Sequence, residues 1–148
     1  MKVAIAADHG GFTLKGRLMR VLNAGHEMLD LGTNSEEPVD YPDYARALGR
    51  AVLDGRAERG VLICGSGAGA AIAANKMRGI RAALAHDTYT AHQMVEHDDV
   101  NVCCLGARVV GAELAAEIAT VFLAARFTGE ERHVRRLKKV AQIEKEGT

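Results

Sequence analysis

Short apolar runs alternate along the chain with stretches of helical spacing. Lys2 to Ala7 (KVAIAA) predicts a first buried strand, ended by Asp8-His9-Gly10-Gly11. From Phe12 to Asn23 the apolar Phe12, Leu14, Leu18, Val21 and Leu22 are interleaved with Lys15, Arg17 and Arg20, which predicts an amphipathic helix that Gly25 closes. Glu27 to Leu31 is a second strand, and the polar Gly32 to Asp40 a loop. Pro42 fits the first turn of a helix reaching about Leu53. Gly60 to Cys64 (GVLIC) is a continuous apolar run of the kind found in central parallel strands. A glycine-rich loop, Gly65 to Gly69, leads into a helix over Ala70 to Met77. A strand over Arg81 to Ala85, a helix from about Thr88 to Glu96, and a strand over Asn101 to Leu105 follow. Gly111 to Ala125 is a further helix, and Glu131 to Lys145 a last, highly charged one.

Five strands with intervening helices predict a single-domain α/β fold, a doubly wound, Rossmann-like five-stranded parallel sheet. Ligands of such sheets bind outside the carboxyl ends of the strands. Those ends carry Asp8-His9, Cys64-Gly65-Ser66, His86-Asp87 and Gly106-Ala107-Arg108. The length of 148 residues suits one core, and with aromatics at 4% and no Trp that core is built from Ala, Val, Leu and Ile.

Charge and cysteine content narrow the function classes. The formal net charge is zero with neutral His, so no overall basic field exists to hold nucleic acid or a membrane surface. The odd set Cys64, Cys103 and Cys104, two of them adjacent, is a poor disulfide framework and points to a reducing compartment. The apolar run before Asp8 is too short for a signal peptide or a membrane span, so the expectation is a cytoplasmic protein.

Cys64 ends a strand and opens Gly65-Ser66-Gly67-Ala68-Gly69. It is read either as a small buried hydrophobe or as a functional thiol. Converging loop amides and the following helix N-terminus favour negative charge nearby, making the thiol more thiolate-like. The same amides suit a developing enolate oxygen, and a base beside an oxyanion hole is what proton abstraction next to a carbonyl requires. The loop also fits the G-x-G-x-x-G/A dinucleotide pattern, with Asp87 about where a ribose-binding acid would fall. That reading suffers because the loop follows the third strand rather than the first.

Asp8-His9 is either a loop cap or a carboxylate and imidazole for a polar ligand. His97, with Asp98 beside it, is either a surface residue or an acid–base group at the sheet edge. His86-Asp87 and His97-Asp98 also invite a metal reading, but no spacing here is specific. Arg132 and Arg136 are four apart and share one helix face, as a solvated surface or as a clamp for a phosphate dianion, with Arg108 a third candidate.

Taken together these residues resemble the ribose-5-phosphate isomerase type B family, which also includes galactose-6-phosphate isomerase subunits. The likeness is carried by Asp8-His9-Gly10-Gly11, Leu14-Lys15, Asp40-Tyr41-Pro42, Leu62-Ile63-Cys64-Gly65-Ser66-Gly67 and Ile72-Ala73-Ala74-Asn75-Lys76. It continues through Gly79-Ile80-Arg81-Ala82, Asn101-Val102, Leu105-Gly106-Ala107-Arg108 and Arg132-His133 with Arg136. It spans nearly the whole chain.

The resemblance implies one sugar-phosphate isomerase domain over residues 1–148 that interconverts an aldose and a ketose phosphate without a cofactor or metal. Ribose 5-phosphate is the first candidate substrate, and a tetrose or hexose phosphate the alternative. It implies that Cys64 is the base, moving a proton between C1 and C2 through a cis-enediolate. Gly65, Ser66, Gly67, Ala68 and Gly69 would form the anion hole with the Ser66 hydroxyl assisting, and His97 would open the furanose ring. Asp8 and Tyr41 would meet the sugar, and His9, Arg108, Arg132 and Arg136 the phosphate. It further implies a homodimer or tetramer whose last helix contributes to assembly, with His97 and Arg108 reaching the site from a neighbouring subunit. One departure is Asp98 where the family usually has Asn: an ionised Asp cannot donate a hydrogen bond, so this position bears on the choice of sugar.

Overall fold

The computed structural model describes residues 1–147. Its strands are β1 (Lys2–Ala7), β2 (Glu27–Asp30), β3 (Arg59–Cys64), β4 (Ala82–Leu84) and β5 (Val102–Gly106). Its helices are α1 (Phe12–Leu22), α2 (Tyr41–Leu53), α3 (Ala68–Ala74), α4 (Thr88–Asp98), α5 (Ala112–Ala124) and α6 (Glu131–Glu146). The five strands form one parallel sheet in the order β2-β1-β3-β5-β4, as the alternation predicts. Among the described residues no helix is long and apolar enough to cross a membrane.

Because side chains alternate across a strand, the buried runs feed two separate cores. Val3, Ile5 and Ala7, Val61 and Ile63, and Cys103 and Leu105 face α1, α4 and α5, where Leu18, Val95, Ile118 and Phe122 fill the layer. Ala4 and Ala6, Leu62 and Cys64, and Val102 and Cys104 face α2 and α3. That second layer is thin, filled by Leu48, Ala45, Ala51, Ala70 and Ala74, so these helices ride close to the sheet. A fully buried Leu, Ile or Phe here contributes roughly 1.5–3 kcal/mol, and the first layer holds most of them.

The site is positioned by topology. From β1 the chain runs outward to β2, and from β3 it runs the other way to β4 and β5, so the direction of winding reverses between β1 and β3. Their carboxyl ends, Ala7 and Ile63, are paired in register, and the crevice beyond them is where an open α/β sheet binds its ligand.

Several element boundaries differ from expectation, and three have a clear cause. Helix α3 starts at Ala68, not Ala70, and stops at Ala74, not Met77. It stops because Asn75 turns its side-chain amide onto the β4 backbone, giving a bond to the Ala82 carbonyl and taking one from the Ala82 N–H, both 2.8 Å. Helix α4 continues past Glu96 to Asp98, where Asp99 adopts a left-handed conformation (φ 48°) and its N–H closes back on Met94 and Val95. His97 and Asp98 therefore stand in the last turn of a helix rather than in a loop. Strand β4 is shorter than the apolar run, since Arg81 is drawn away to Asp99, with Nη2–Oδ2 2.7 Å.

Candidate active site

A cavity of about 460 Å³ opens at the reversal point. It is lined by Asp8 from the end of β1, Cys64, Gly65 and Ser66 from the end of β3, and Gly69 from the first turn of α3. Tyr41 from the start of α2 and Arg108 and Val109 from beyond β5 complete it.

Cys64 is buried, and its sulfur accepts the Gly67 N–H at 3.1 Å. An amide aimed at sulfur stabilises negative charge there. The turn that delivers this amide demands glycine. Gly67 has φ +80°, and a Cβ there would collide with Leu84 and lie 2.9 Å from the Leu105 carbonyl carbon. The next amide, of Ala68, turns 3.3 Å onto Ser66 Oγ. Two of the loop N–H groups thus hold the cysteine and the serine in place. Ala68 and Gly69 already belong to α3.

The other two cysteines are different. Burial pushes the Cys103 thiol up to about 12 and the Cys104 thiol well above its usual range, which keeps both protonated inside the core. Only Cys64 borders the cavity.

Asp8 is 8% exposed; its Oδ1 accepts the Gly11 N–H at 3.1 Å, capping the single 3₁₀ turn His9–Gly11 while the residue lines the cavity. Loop cap and ligand-facing carboxylate are here the same group. Next to it, His9 Nδ1 lies 3.2 Å from the Val39 N–H and equally far from the Val39 carbonyl, which fixes the ring against the loop before α2. Tyr41 packs on Gly69: a Cβ on Gly69 would sit 2.8 Å from the phenol Cζ. Arg108 lies over Gly65, its backbone N–H bonded to the Gly65 carbonyl at 2.9 Å. The expectation that Arg108 comes from a neighbouring subunit is corrected: it lines the cavity of its own chain, because its turn leaves β5 directly beside β3.

His97, Asp98, Arg132 and Arg136 are not in this cavity. They gather instead where the end of α4 meets the start of α6. The half-buried His97 ring lies against His133, ring centroids 4.1 Å apart at 32°. Arg132 and Arg136 are exposed, and Arg132 Nε donates to Glu130 Oε2 at 2.8 Å. That guanidinium holds the Glu130 carboxyl below the usual carboxylate range. Asp98 lines a larger groove of about 700 Å³ beneath α6, among Ile80, Arg81, Val134 and Leu137.

His86 and Asp87 have structural tasks. The Gly106 N–H donates to His86 Nε2 (3.2 Å), and Asp87 caps α4, accepting from Thr90 N (2.6 Å) and Thr90 Oγ1 (2.7 Å). The carboxylate singled out as a ribose ligand is therefore occupied by a helix end. Sequence reasoning gave no site role to Val109 or to His133. Val109 carries no chemical signal, and His133 stands in a charged stretch that reads as solvated.

Comparison with known proteins agrees over the whole chain. A family model described as Ribose/Galactose Isomerase matches residues 3–140. Ribose-5-phosphate isomerase B of Escherichia coli (strain K12) is 43% identical over 144 residues, covering 97% of this chain and 96% of its own. D-erythrulose-4-phosphate isomerase of Pectobacterium atrosepticum is 42% identical over 132 residues, covering 87% and 86%. The solved structure of Clostridium thermocellum ribose-5-phosphate isomerase B superimposes with a TM-score of 0.97 at 45% identity, over 100% of both chains.

Proposed function

The chain belongs to the ribose/galactose isomerase family and is a sugar phosphate isomerase, and on that premise we propose that it interconverts ribose 5-phosphate and ribulose 5-phosphate with Cys64 as the base. The observation that carries the mechanism is the Gly67 N–H on the Cys64 sulfur, at the mouth of a cavity that also presents Asp8, Ser66 and Arg108. His97 donates a proton to the ring oxygen while the anomeric hydroxyl passes its proton to water, opening the furanose to the aldehyde. The Cys64 thiolate takes the proton from C2, the electron pair moves onto the C1 carbonyl oxygen, and the thiol returns the proton to C1 of the cis-enediolate as the proton of the C2 hydroxyl passes to O1. The loop amides not already used on Cys64 and Ser66 steady the enediolate oxygens, with the Ser66 hydroxyl assisting. Asp8 and Tyr41 orient the sugar, and His9, Arg108, Arg132 and Arg136 hold the phosphate.

One chain carries these groups in two places, so the complete site joins the cavity of one protomer to the α4–α6 end of another. Apolar side chains left exposed, one of them at the cavity itself, support such pairing. Val109 is 56% exposed, Ile72 on α3 62% and Tyr89 at the start of α4 65%, while β4 is an unpaired sheet edge.

A second substrate class has its own support. Asp98 is a carboxylate where the resembling family usually carries an amide, and one relative is named for a four-carbon sugar phosphate. A panel of four-, five- and six-carbon sugar phosphates, assayed on the native protein and on Asp98→Asn, decides between them. Ribose 5-phosphate is expected to give the highest kcat/KM for the native protein. A tetrose phosphate ahead by tenfold or more, with Asp98→Asn reversing the order, would reassign the substrate and leave the reaction type standing.

A further inference from the structure

The α4–α6 contact holds a buried group that the reaction as described does not use. His133, in the first turn of α6, is 1% exposed. Its Nδ1 lies 2.8 Å from Thr128 Oγ1, and its Nε2 is buried without a partner. Thr128 is itself anchored to α4: its N–H donates to the Glu96 carbonyl at 3.0 Å, next to His97. A closed circuit results, from Glu96 through Thr128 to His133 and back to His97 through the stacked rings.

We infer that His133 is a positioning residue for the reaction: its ring covers one face of His97 and fixes the plane in which that imidazole meets the substrate. The inference rests on the assignment of His97 as the ring-opening acid. Proton transfer tolerates little displacement, because the acid must lie within hydrogen-bond reach of the oxygen it serves. A half-buried imidazole at a helix end turns readily about its side-chain bonds unless something lies against its face. A planar ring held by its own hydrogen bond does this without adding charge.

His133 is suited to stay neutral. Thr128 Oγ1 also accepts the Glu130 N–H (3.4 Å), and a hydroxyl has two acceptor sites. With Nδ1–H donating to the second, Nε2 is left as a bare lone pair, a cheaper orphan than a buried N–H. Protonating Nε2 would bury an N–H with no acceptor beside His97, Arg132 and Arg136, with Glu130 the opposing charge. Burial first, and these cations next, hold His133 below the usual imidazole range. The ring that lies against His97 thus brings no charge of its own to it.

A double-mutant cycle tests this on the full-length protein, with ribose 5-phosphate as substrate. His133→Ala is expected to lower kcat roughly 10–100-fold, the cost of a misplaced catalytic group, with KM changed by less than about threefold. His133→Phe keeps a ring against His97 and is expected to retain kcat within about fivefold. In a His97→Ala background His133→Ala is expected to add less than about a twofold loss, since nothing remains to position. If His133→Ala does not fold, Thr128→Val, which frees the ring, carries the same cycle with an expected loss of about 3–10-fold. A loss of equal size with and without His97, or a His133→Phe as slow as His133→Ala, overturns the positioning role. A His97→Ala variant with native turnover overturns the assignment of His97 itself, and is read separately from the cycle.

Discussion

The two clusters that the mechanism joins are built by opposite means. The Cys64 cavity is made almost entirely of backbone: a left-handed glycine, a helix start brought close by alanines, and amides directed at a sulfur and a hydroxyl. Its geometry follows from the sheet, and a single chain completes it. The α4–α6 cluster is made of long or titratable side chains, His97, Arg132 and Arg136, on helix surfaces, with one buried ring beneath them. The contrast matches the work each is asked to do. Proton abstraction needs fixed dipoles set before substrate arrives, whereas a phosphate and a ring oxygen are reached by side chains brought in from outside.

The sharpest way to break the comparison is at the sulfur. Cys64→Ala is expected to leave the fold intact by circular dichroism and to lower turnover roughly 10²–10⁴-fold, the usual worth of a positioned base. Native turnover would remove Cys64 from the mechanism. The same variant tests whether the clusters meet across an interface. Mixing inactive Cys64→Ala with inactive His97→Ala chains, unfolded and refolded together, is expected to restore about a quarter of native activity. In randomly paired dimers half the assemblies are mixed, and each of those holds one intact site of two. Mixtures that stay inactive would mean that the two clusters never share a substrate.

The clusters also differed in how well they could be read before any coordinates. The sheet was legible because its inner strands are unbroken apolar runs, and Asp8 and Cys64 could be placed at strand ends, whereas the strand order that sets those two ends side by side could not be read. The exact reach of the glycine loop was not legible. Asn75 ends α3 by bonding to a strand that lies beside it only in the fold, and Asp99 extends α4 by entering a left-handed conformation that its identity merely permits. The division of the site was not legible from the residues either, since spacing on α6 shows that Arg132 and Arg136 share a face but not which cavity they serve. His133 was the least visible. One position in a highly charged helix turns inward, and a buried, half-satisfied imidazole has no signature among so many arginines and lysines.

A smaller effect is expected from the outer cluster. Arg132 is exposed and tied by Nε to Glu130, which leaves the rest of its fork to grip a phosphate. Arg132→Ala is expected to cost roughly 1.5–3 kcal/mol of substrate binding, the worth of a charged hydrogen bond, seen as a raised KM for ribose 5-phosphate with kcat little changed. Inorganic phosphate, as a competitive inhibitor, is expected to weaken in parallel. An unchanged KM would leave Arg132 a surface charge and move the phosphate end of the site back toward His9 and Arg108.

The smallest effect concerns stability and separates the clusters by pH. His133 has its folded-state pKa lowered, chiefly by burial, so the folded state resists a proton that the unfolded chain accepts near 6.5. Between those two values the unfolded state binds more protons, and stability therefore falls as pH drops through the unfolded value toward the folded one. His26 is displaced in the same direction, again chiefly by burial, and adds to the slope. The carboxyls of Asp87 and Glu130 are held low instead, so their contributions are lost only further down, below ordinary values of 3.8 and 4.5. The melting temperature is thus expected to decline from pH 7.5 to pH 5, and His133→Phe, which has no proton to gain, is expected to flatten part of that decline. Cys64→Ala leaves both His133 and His26 in place, so it should melt with the native pH dependence. A His133→Phe profile parallel to the native one would show that the buried ring already accepts its proton in the folded state, and the neutral ring beside His97 would then fall with it.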